Sequence, residues 1–339
     1  MNGAGTWTGI AGFARDAEAA GISGLLFTET SEVPWMKITA GAMSTSTLHF
    51  STGIAVAFPR SPMVSASVAW EIAGNTGGRF RLGLGSQVKG HVVRRYSTEF
   101  SQPAMRMRDY VAAVKACFRA FRREERLSHE GEFYRLSYLP EAWAPPRHEF
   151  ADVKVDISAV GPVMTRVAGE VADGIHVHPL HSMHYIEHRL LPAVAEGAAR
   201  AGRDPGEVDL IVPVFAAPGD TAEERAPLVR RARSQIAFYG STPNYAFQFD
   251  DLGFDGTTER LGSLIKQGDT AAMADTITDE MLEHFAIVCT WDELADRLID
   301  RYRGTASRLV MYLADETIRR DSATLGRWGE IARAIRTTE

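Results

Sequence analysis

Four stretches of the chain carry residue types at spacings that could do chemistry. In FTETSEVPW a carboxylate closes an apolar run, with Glu29 followed by Thr30, Ser31 and Trp35. A carboxylate at the end of a buried strand is costly to desolvate without a partner or a task, so Glu29 reads either as an acid/base group or as a salt-bridge partner. The run RFRLGLG ends in Gly83-Leu84-Gly85-Ser86-Gln87, and Lys89, His91, Arg94 and Arg95 follow. Glycines at a strand end let a ligand approach the backbone closely. The basic residues would then meet a phosphate or a carboxylated tail; a tight turn into a solvated basic helix fits the same letters.

The run VDISAV leads into Gly161-Pro162-Val163-Met164-Thr165 and an apparent helix. Proline suits a first helical turn, where its missing N–H costs nothing. The amides of Val163, Met164 and Thr165 are then expected to be free, with the Thr165 hydroxyl as a further donor, and the helix dipole favours an anion there. Ordinary helix initiation by Gly-Pro is the competing reading. Finally, Asp173-Gly174-Ile175-His176-Val177-His178-Pro179 places two histidines at a strand end, with His181 and His184 beyond. Such a pair can ligate zinc or iron, yet no His/Asp/Glu set nearby completes a site. The alternative is that His176 or His178 lines a pocket and hydrogen-bonds ligand or backbone.

Positioning these groups requires a scaffold, and the chain supplies an alternation of short apolar runs with helical patterns. Strands are expected over Ile22–Thr28, His49–Ala57, Arg79–Leu84, Val153–Val160, Gly174–Val177, Val208–Ala216 and Arg308–Leu313. Helices are expected over Gly9–Ala20, Pro62–Ala73, Glu187–Ala201 and Asp292–Arg303; three of them stop on Gly21, Gly202 and Gly304. This order favours parallel strands joined by helical crossovers. Seven strands leave an eight-stranded barrel one short, and the glycine-rich Met1–Thr8 is a poor strand, so the first strand is expected to be degenerate or missing. A doubly wound open sheet is the structural alternative. Two insertions interrupt the alternation. One, at about 87–152, holds a helix over Ala104–Arg122 and a hairpin-like EGEFYRLSY. The other, at about 234–286, is polar and glycine-rich and contains FYGSTPNY.

Composition narrows the classes. The 339 residues are 45% hydrophobic, enough for one barrel domain over 1–339, since such barrels run past ~250 residues. A net charge of −6 argues against general nucleic-acid binding. The two cysteines, Cys117 and Cys289, form no CxxC pair or disulfide framework. No apolar run approaches the ~20 residues that span a bilayer, and the start lacks signal-peptide character, so a cytoplasmic enzyme is expected. No GxSxG or GxxxxGK[ST] is present, and Val88 breaks the GxG of Gly83 and Gly85 as a dinucleotide fingerprint.

Together, STGIAVAFPRSPMVSASVAWEIAGNTGGRFRLGLGSQ (Ser51–Gln87) and AVGPVMTRVAGEVADG (Ala159–Gly174) resemble the core segments of the luciferase-like monooxygenase superfamily, particularly its deazaflavin (coenzyme F420) branch. The comparison is with methylenetetrahydromethanopterin reductase and related actinobacterial oxidoreductases, and it extends through AFYGSTPNY and LIKQGDTAAMADTITDEMLEHFAIV to the terminal helix. It implies a (β/α)8 TIM barrel of the bacterial luciferase-like type, with a flavin-like ring at the C-terminal mouth. It also implies a bulge carrying a non-prolyl cis peptide at Gly53–Ile54. Cofactor contacts are implied at Thr30, Gly53, Ile54, Ala55, Gly85, Ser86, Gln87, His91 and Gly161 through Thr165 (Gly161, Pro162, Val163, Met164, Thr165), with the phosphate at Ser86, Gln87 and the Gly161–Thr165 turn. A homodimer is typical of the family. Where many relatives carry Asp-His, this chain has Glu29 and Thr30, so a histidine acid or base is absent there.

The function expected from residues and resemblance together is hydride transfer between reduced F420 and a small organic substrate. Glu29, His178 and Tyr239 are the proton-transfer candidates; Trp35, Ser241 and Thr242 are expected to face substrate. Three alternatives stand beside it. One is an FMN-dependent monooxygenase fed by a partner reductase, another a metal-dependent hydrolase using His176 and His178, and the third a non-catalytic flavin-binding protein.

Overall fold

A computed structural model describes residues 5–150 and 153–336. They form two compact units: Met1–His176 with Ala193–Asp209, and Val177–Pro192 with Leu210–Glu339.

The first unit holds β1 (Gly24–Phe27), β2 (His49–Thr52), β3 (Ala55–Val56), β4 (Phe80–Gly85), β5 (His129–Glu130), β6 (Arg135–Leu136), β7 (Lys154–Ser158) and β8 (Gly174–His176). Its main sheet runs β1-β2-β4-β7-β8, with β3 also on β4, and every pair is parallel. The hairpin expected from EGEFYRLSY is present as the antiparallel β5–β6 pair. Asp109, on the long helix Pro103–Phe121, anchors it by accepting from the Phe133 and Tyr134 amides at 2.6 and 3.0 Å.

Helix ends follow the letters that announced them. Trp7–Ala20 is capped by the Thr6 hydroxyl and stops at Gly21, whose φ of 91° is left-handed. Pro62–Asn75 starts behind a Ser61 cap. Among the described residues no strand precedes Trp7, and β1 has a strand neighbour on one side only. The expectation of a degenerate first strand over Met1–Thr8 falls partly on residues 1–4, which lie outside the described residues.

In the second unit β9 (Asp209–Pro218) pairs in parallel with β11 (Arg308–Met311) along its first half and with β10 (Ala286–Cys289) along its second. The β10 strand is a correction to the expected list. Four residues long and continuous with the helix Asp279–Phe285, it has no turn residue to set it apart. The stretch at 234–286 is also helical rather than an irregular interruption. After the end of the helix Ala222–Gly240 come Phe247–Asp250, Thr257–Gln267, Thr270–Thr276 and Asp279–Phe285. Their apolar residues Phe249, Leu261, Met273, Leu282 and Phe285 join Phe215 of β9 in this unit's core, which is what makes a polar stretch fold.

Both cysteines are buried and unpaired, and burial pushes the Cys117 thiol up to about 12. No described helix is long and apolar enough to cross a membrane.

Two helices of the first unit, Pro162–Val171 and Leu191–Arg200, touch backbone to backbone. A methyl at Gly169 would run into the Val194 carbonyl, and one at Gly197 into the Arg166 carbonyl. Gly197→Ala is therefore expected to cost about 1–3 kcal/mol, as overpacking does. It should appear as a lower urea midpoint at unchanged m-value. Gly326→Ala, whose methyl meets open space on the last helix, should hold or raise the midpoint.

Candidate active site

In the first unit the C-terminal ends of the strands gather most of the expected residues. Glu29 follows β1 and is 5% exposed. Its Oε1 accepts from Arg60 Nη2 at 2.6 Å, and its Oε2 from Arg60 Nη1 and the Val56 amide, both at 2.8 Å. Arg60 Nη1 also donates to the Val56 carbonyl at 2.7 Å, and the Glu29 amide donates to the Ile54 carbonyl at 3.2 Å. A bidentate arginine fork is the strongest form of charge-assisted hydrogen bond. Of the two readings of Glu29, the geometry supplies the salt-bridge partner, an acceptor that ties β1 to the β2–β3 bulge. The Tyr96 hydroxyl lies beside it; burial and then the Glu29 charge raise its pKa.

That bulge contains the cis peptide Gly53–Ile54, at the position the resemblance implied. Ile54 reaches towards β4, where a methyl at Gly85 would sit 2.5 Å from Ile54 Cδ1 and 2.7 Å from Ser158 Oγ. Ala55 is fully buried. Ser86 and Gln87 continue from β4, half-buried, with Gln87 at φ 57° and its Oε1 accepting from the Val88 amide at 3.1 Å. His91 is exposed on the short helix Lys89–Arg94, the basic helix of the competing reading. Thr30 accepts through its carbonyl from Arg95. Trp35 is buried, with the Arg60 guanidinium 5.7 Å from its ring centre, so it supports the ion pair rather than standing open.

The turn after β7 caps the helix Pro162–Val171 with Gly161. Gly161, Pro162 and Val163 are exposed and Met164 half-buried. The expectation for Thr165 needs correcting. Its amide and its hydroxyl both donate to the Gly161 carbonyl, at 3.0 and 3.1 Å, and the residue is 1% exposed. The fourth helical residue already has an intrahelical acceptor, so Val163 and Met164 supply the free amides.

His178 and Tyr239 belong to the second unit. His178 Nδ1 accepts from the Leu180 amide at 3.1 Å, which places the proton of the neutral ring on Nε2, and Nε2 has no hydrogen-bond partner among the described residues. Tyr239 and Tyr245 flank the ring, at 4.8 and 4.6 Å between centres. The Tyr239 hydroxyl is 2.7 Å from that of Tyr312, at the end of β11. Burial and the neighbouring phenol raise the pKa of Tyr239. Ser241 turns its hydroxyl back to the Phe238 carbonyl at 2.8 Å, which ends the helix, while Thr242 is exposed. Among the described residues no group of three or more His, Cys, Asp or Glu is placed to hold a metal ion, so the hydrolase alternative lacks a ligand set. Arg60 and Tyr312 were missed. Arg60 had a signal, a lone cation just past a strand in FPRSP; Tyr312 had none beyond its place at a strand end.

The sequence profile of luciferase-like monooxygenases matches residues 1–308. The chain belongs to the luciferase-like monooxygenase family. An uncharacterised protein of Mycobacterium tuberculosis (strain ATCC 25618 / H37Rv) is 38% identical over 303 residues, 88% of this chain and 89% of that protein. The 5,10-methylenetetrahydromethanopterin reductase of Methanolobus tindarius is 27% identical over 295 residues, 85% of each chain. The solved structure of the coenzyme F420-dependent tetrahydromethanopterin reductase from Methanopyrus kandleri superposes with a TM-score of 0.72. It covers 90% of this chain and 89% of that one at 21% identity, a likeness of fold. The luciferase-like monooxygenase fold is thus the α/β TIM-barrel type expected, with the sheet left unclosed among the described residues.

Burial lowers His178 to about 4, and His181 likewise to about 4. His181 is held between the His178 carbonyl at 2.9 Å and the Tyr302 hydroxyl at 3.2 Å. Unfolded, each titrates near 6.5. Between those values the unfolded chain binds more protons, so stability is complete above about pH 6.5 and falls as pH drops towards 4. Urea midpoints measured across that window should fall, and His181→Gln should flatten the slope. A slope that His181→Gln leaves unchanged would show that His181 is not among its sources.

Proposed function

We propose that this luciferase-like monooxygenase family member is an F420-dependent oxidoreductase that moves hydride between the reduced deazaflavin and a small organic substrate bearing a C=C, C=N or carbonyl/alcohol group. The observation that carries the reading is the first unit's cradle. Gly85 lets the Ile54 side chain of the cis-peptide bulge pack against the end of β4, and two free amides stand at the start of the helix Pro162–Val171. The 85% mutual coverage with methylenetetrahydromethanopterin reductase supports deazaflavin over FMN.

When bound, a deazaflavin supplies hydride chemistry, whereas FMN supplies oxygen chemistry as well. The residues fit such a group. Val163 and Met164 amides, with Ser86 and Gln87, would hold its phosphate; Lys89 is the nearest cation in sequence to Gln87, and His91 follows it. Gly53, Ile54, Ala55 and Gly85 would back the ring. Glu29 enters as the group that fixes the bulge through Arg60, and Thr30 and Trp35 flank that pair.

Proton transfer is proposed for His178 and Tyr239. Neutral His178 keeps a proton on Nε2 at physiological pH, and Tyr239, sharing one hydrogen bond with Tyr312, leaves the pair one further hydroxyl proton to donate. Thr242 and Ser241 border substrate at the end of the same helix as Tyr239. The working form proposed is a cytoplasmic homodimer.

Fluorescence titration should give tighter binding of F420 than of FMN. Tight FMN binding with weak F420 binding, together with oxygen consumption on supplying reduced FMN, would instead establish the monooxygenase. His178→Gln should lower kcat by about 10²–10⁴ while leaving the F420 dissociation constant unchanged. An unaltered kcat would remove His178 from the mechanism.

A further inference from the structure

Two tyrosines of the second unit flank His178, and their hydroxyls are not equivalent. Both rings come from one chain reversal. The helix Ala222–Gly240 ends one residue after Tyr239, Ser241 and Thr242 turn the chain, and a 3-10 turn over Pro243–Tyr245 brings Tyr245 back. Proline at the start of that turn presets its φ, and the Tyr245 amide donates to the Thr242 carbonyl at 2.9 Å. Gly240 keeps the return tight, since a methyl there would lie 2.5 Å from Phe249 Cε2 on the returning arm. Tyr239 and Tyr245 thus reach the His178 ring from opposite arms, at 4.8 and 4.6 Å between centres.

The Tyr239 hydroxyl is tied to that of Tyr312 at 2.7 Å. Tyr312 is itself fixed at the end of β11, where its amide donates to the Val214 carbonyl at 3.0 Å and its ring meets Phe215 at 5.0 Å. The Tyr245 hydroxyl has no hydrogen-bond partner among the described residues, and burial alone raises its pKa. His178 is in the same position. The Leu180 amide occupies its Nδ1, burial lowers its pKa to about 4, and the neutral ring keeps its proton on an unpaired Nε2. At neutral pH each residue therefore offers one uncharged donor. Both residues are half-buried, and neither donor atom is among the unpaired polar atoms sealed inside the fold, as His176 Nε2 is. A small molecule can reach them from solvent.

We infer that Tyr245 is a substrate-binding residue whose hydroxyl, together with the His178 Nε2–H, holds the oxygen of an aldehyde or ketone, or of the matching alcohol. A carbonyl oxygen has two lone pairs for the two donors, an imine nitrogen has one, and a bare C=C bond has none. In the reducing direction the substrate carbon takes hydride and the π pair moves to oxygen. The proton supplied by His178 and Tyr239 then completes the alcohol, and water restores it. Donors already aimed at that oxygen stabilise the charge it gains. This inference rests on the oxidoreductase reading and narrows its three substrate types to the carbonyl/alcohol pair.

The test uses the purified full chain and two probes. One is 4-dimethylaminocinnamaldehyde, whose absorption moves to the red as its carbonyl is polarised. The other is 4-dimethylamino-β-methylstyrene, the same conjugated ring without the oxygen, measured by competition. Wild-type protein should bind the aldehyde about 10–10²-fold more tightly than the styrene. Tyr245→Phe should lose about tenfold in aldehyde affinity and part of the red shift, with styrene affinity unchanged. His178→Phe should do the same, and His178→Gln, which keeps an N–H, should recover part of the loss. Thermal unfolding by circular dichroism checks each variant, and the two His178 variants carry the test if Tyr245→Phe does not fold. F420 and FMN are titrated on the same samples. If wild-type protein binds either cofactor but shows no preference for the aldehyde, or folded Tyr245→Phe keeps the whole preference, the inference is refuted while the oxidoreductase reading survives. If neither cofactor binds, that reading falls and this one with it.

Discussion

The first unit is organised around a carboxylate that has been taken out of water. Asp156 is fully buried, and Arg81 meets it with a two-pronged fork. Breaking such a pair by removing one partner typically costs about 3–5 kcal/mol, so the neighbours must accommodate it. Gly174 yields volume to the two side chains, and His176, one layer further along the strands, is left beside a carboxylate whose oxygens are both in use. The interior of this sheet is therefore polar and glycine-lined where an ordinary α/β core would carry Val, Ile and Leu. The apolar residues Leu82, Leu84, Val155, Ile157 and Ile175, all fully buried, occupy the alternate positions.

A second ion pair does for the strand ends what Arg81–Asp156 does for the interior. Arg60 reaches Glu29 from beyond β3, so β1 and the β2–β3 bulge are joined by side chains as well as by backbone bonds. The ends of parallel strands lack the ladder partners that strand interiors have, and loops there move unless tied. The ion pair, with Trp35 against the guanidinium, stiffens the place where a ring would have to rest.

Local patterning made the scaffold legible. Helix stops at Gly21, Gly202 and Gly304 are residues with positive φ, a demand that glycine meets and that is visible in one sequence. Hydrophobic runs gave the seven expected strands to within a few residues, while β10 escaped because nothing punctuates it. The helical character of 234–286 was hidden for a related reason. Its apolar residues, such as Phe249, Leu261 and Met273, are spread over several short helices with a glycine or a turn between most of them, so no single window shows a strong period.

The site was legible only where chemistry is local. Glycines at a strand end and a Gly-Pro helix start announce themselves, and the Gly53–Ile54 bulge came through likeness to a family rather than from its own letters. Which atoms remain free is a tertiary property. Thr165 reads as a donor for a ligand, yet its two donors serve its own helix start, and Glu29 reads equally as an acid/base group or a salt-bridge partner until Arg60, thirty-one residues away, is seen at both its oxygens. The reverse holds for His176: its letters read as a metal ligand or as a pocket-lining hydrogen-bonder, and only the register that stacks it on a saturated Asp156 shows that its buried Nε2 lacks a protein partner among the described residues. Hydrogen-bond saturation thus sorts the polar residues of this chain. Thr165 and Glu29, whose polar atoms are engaged, hold the fold, while the Val163 and Met164 amides stay free at the start of their helix.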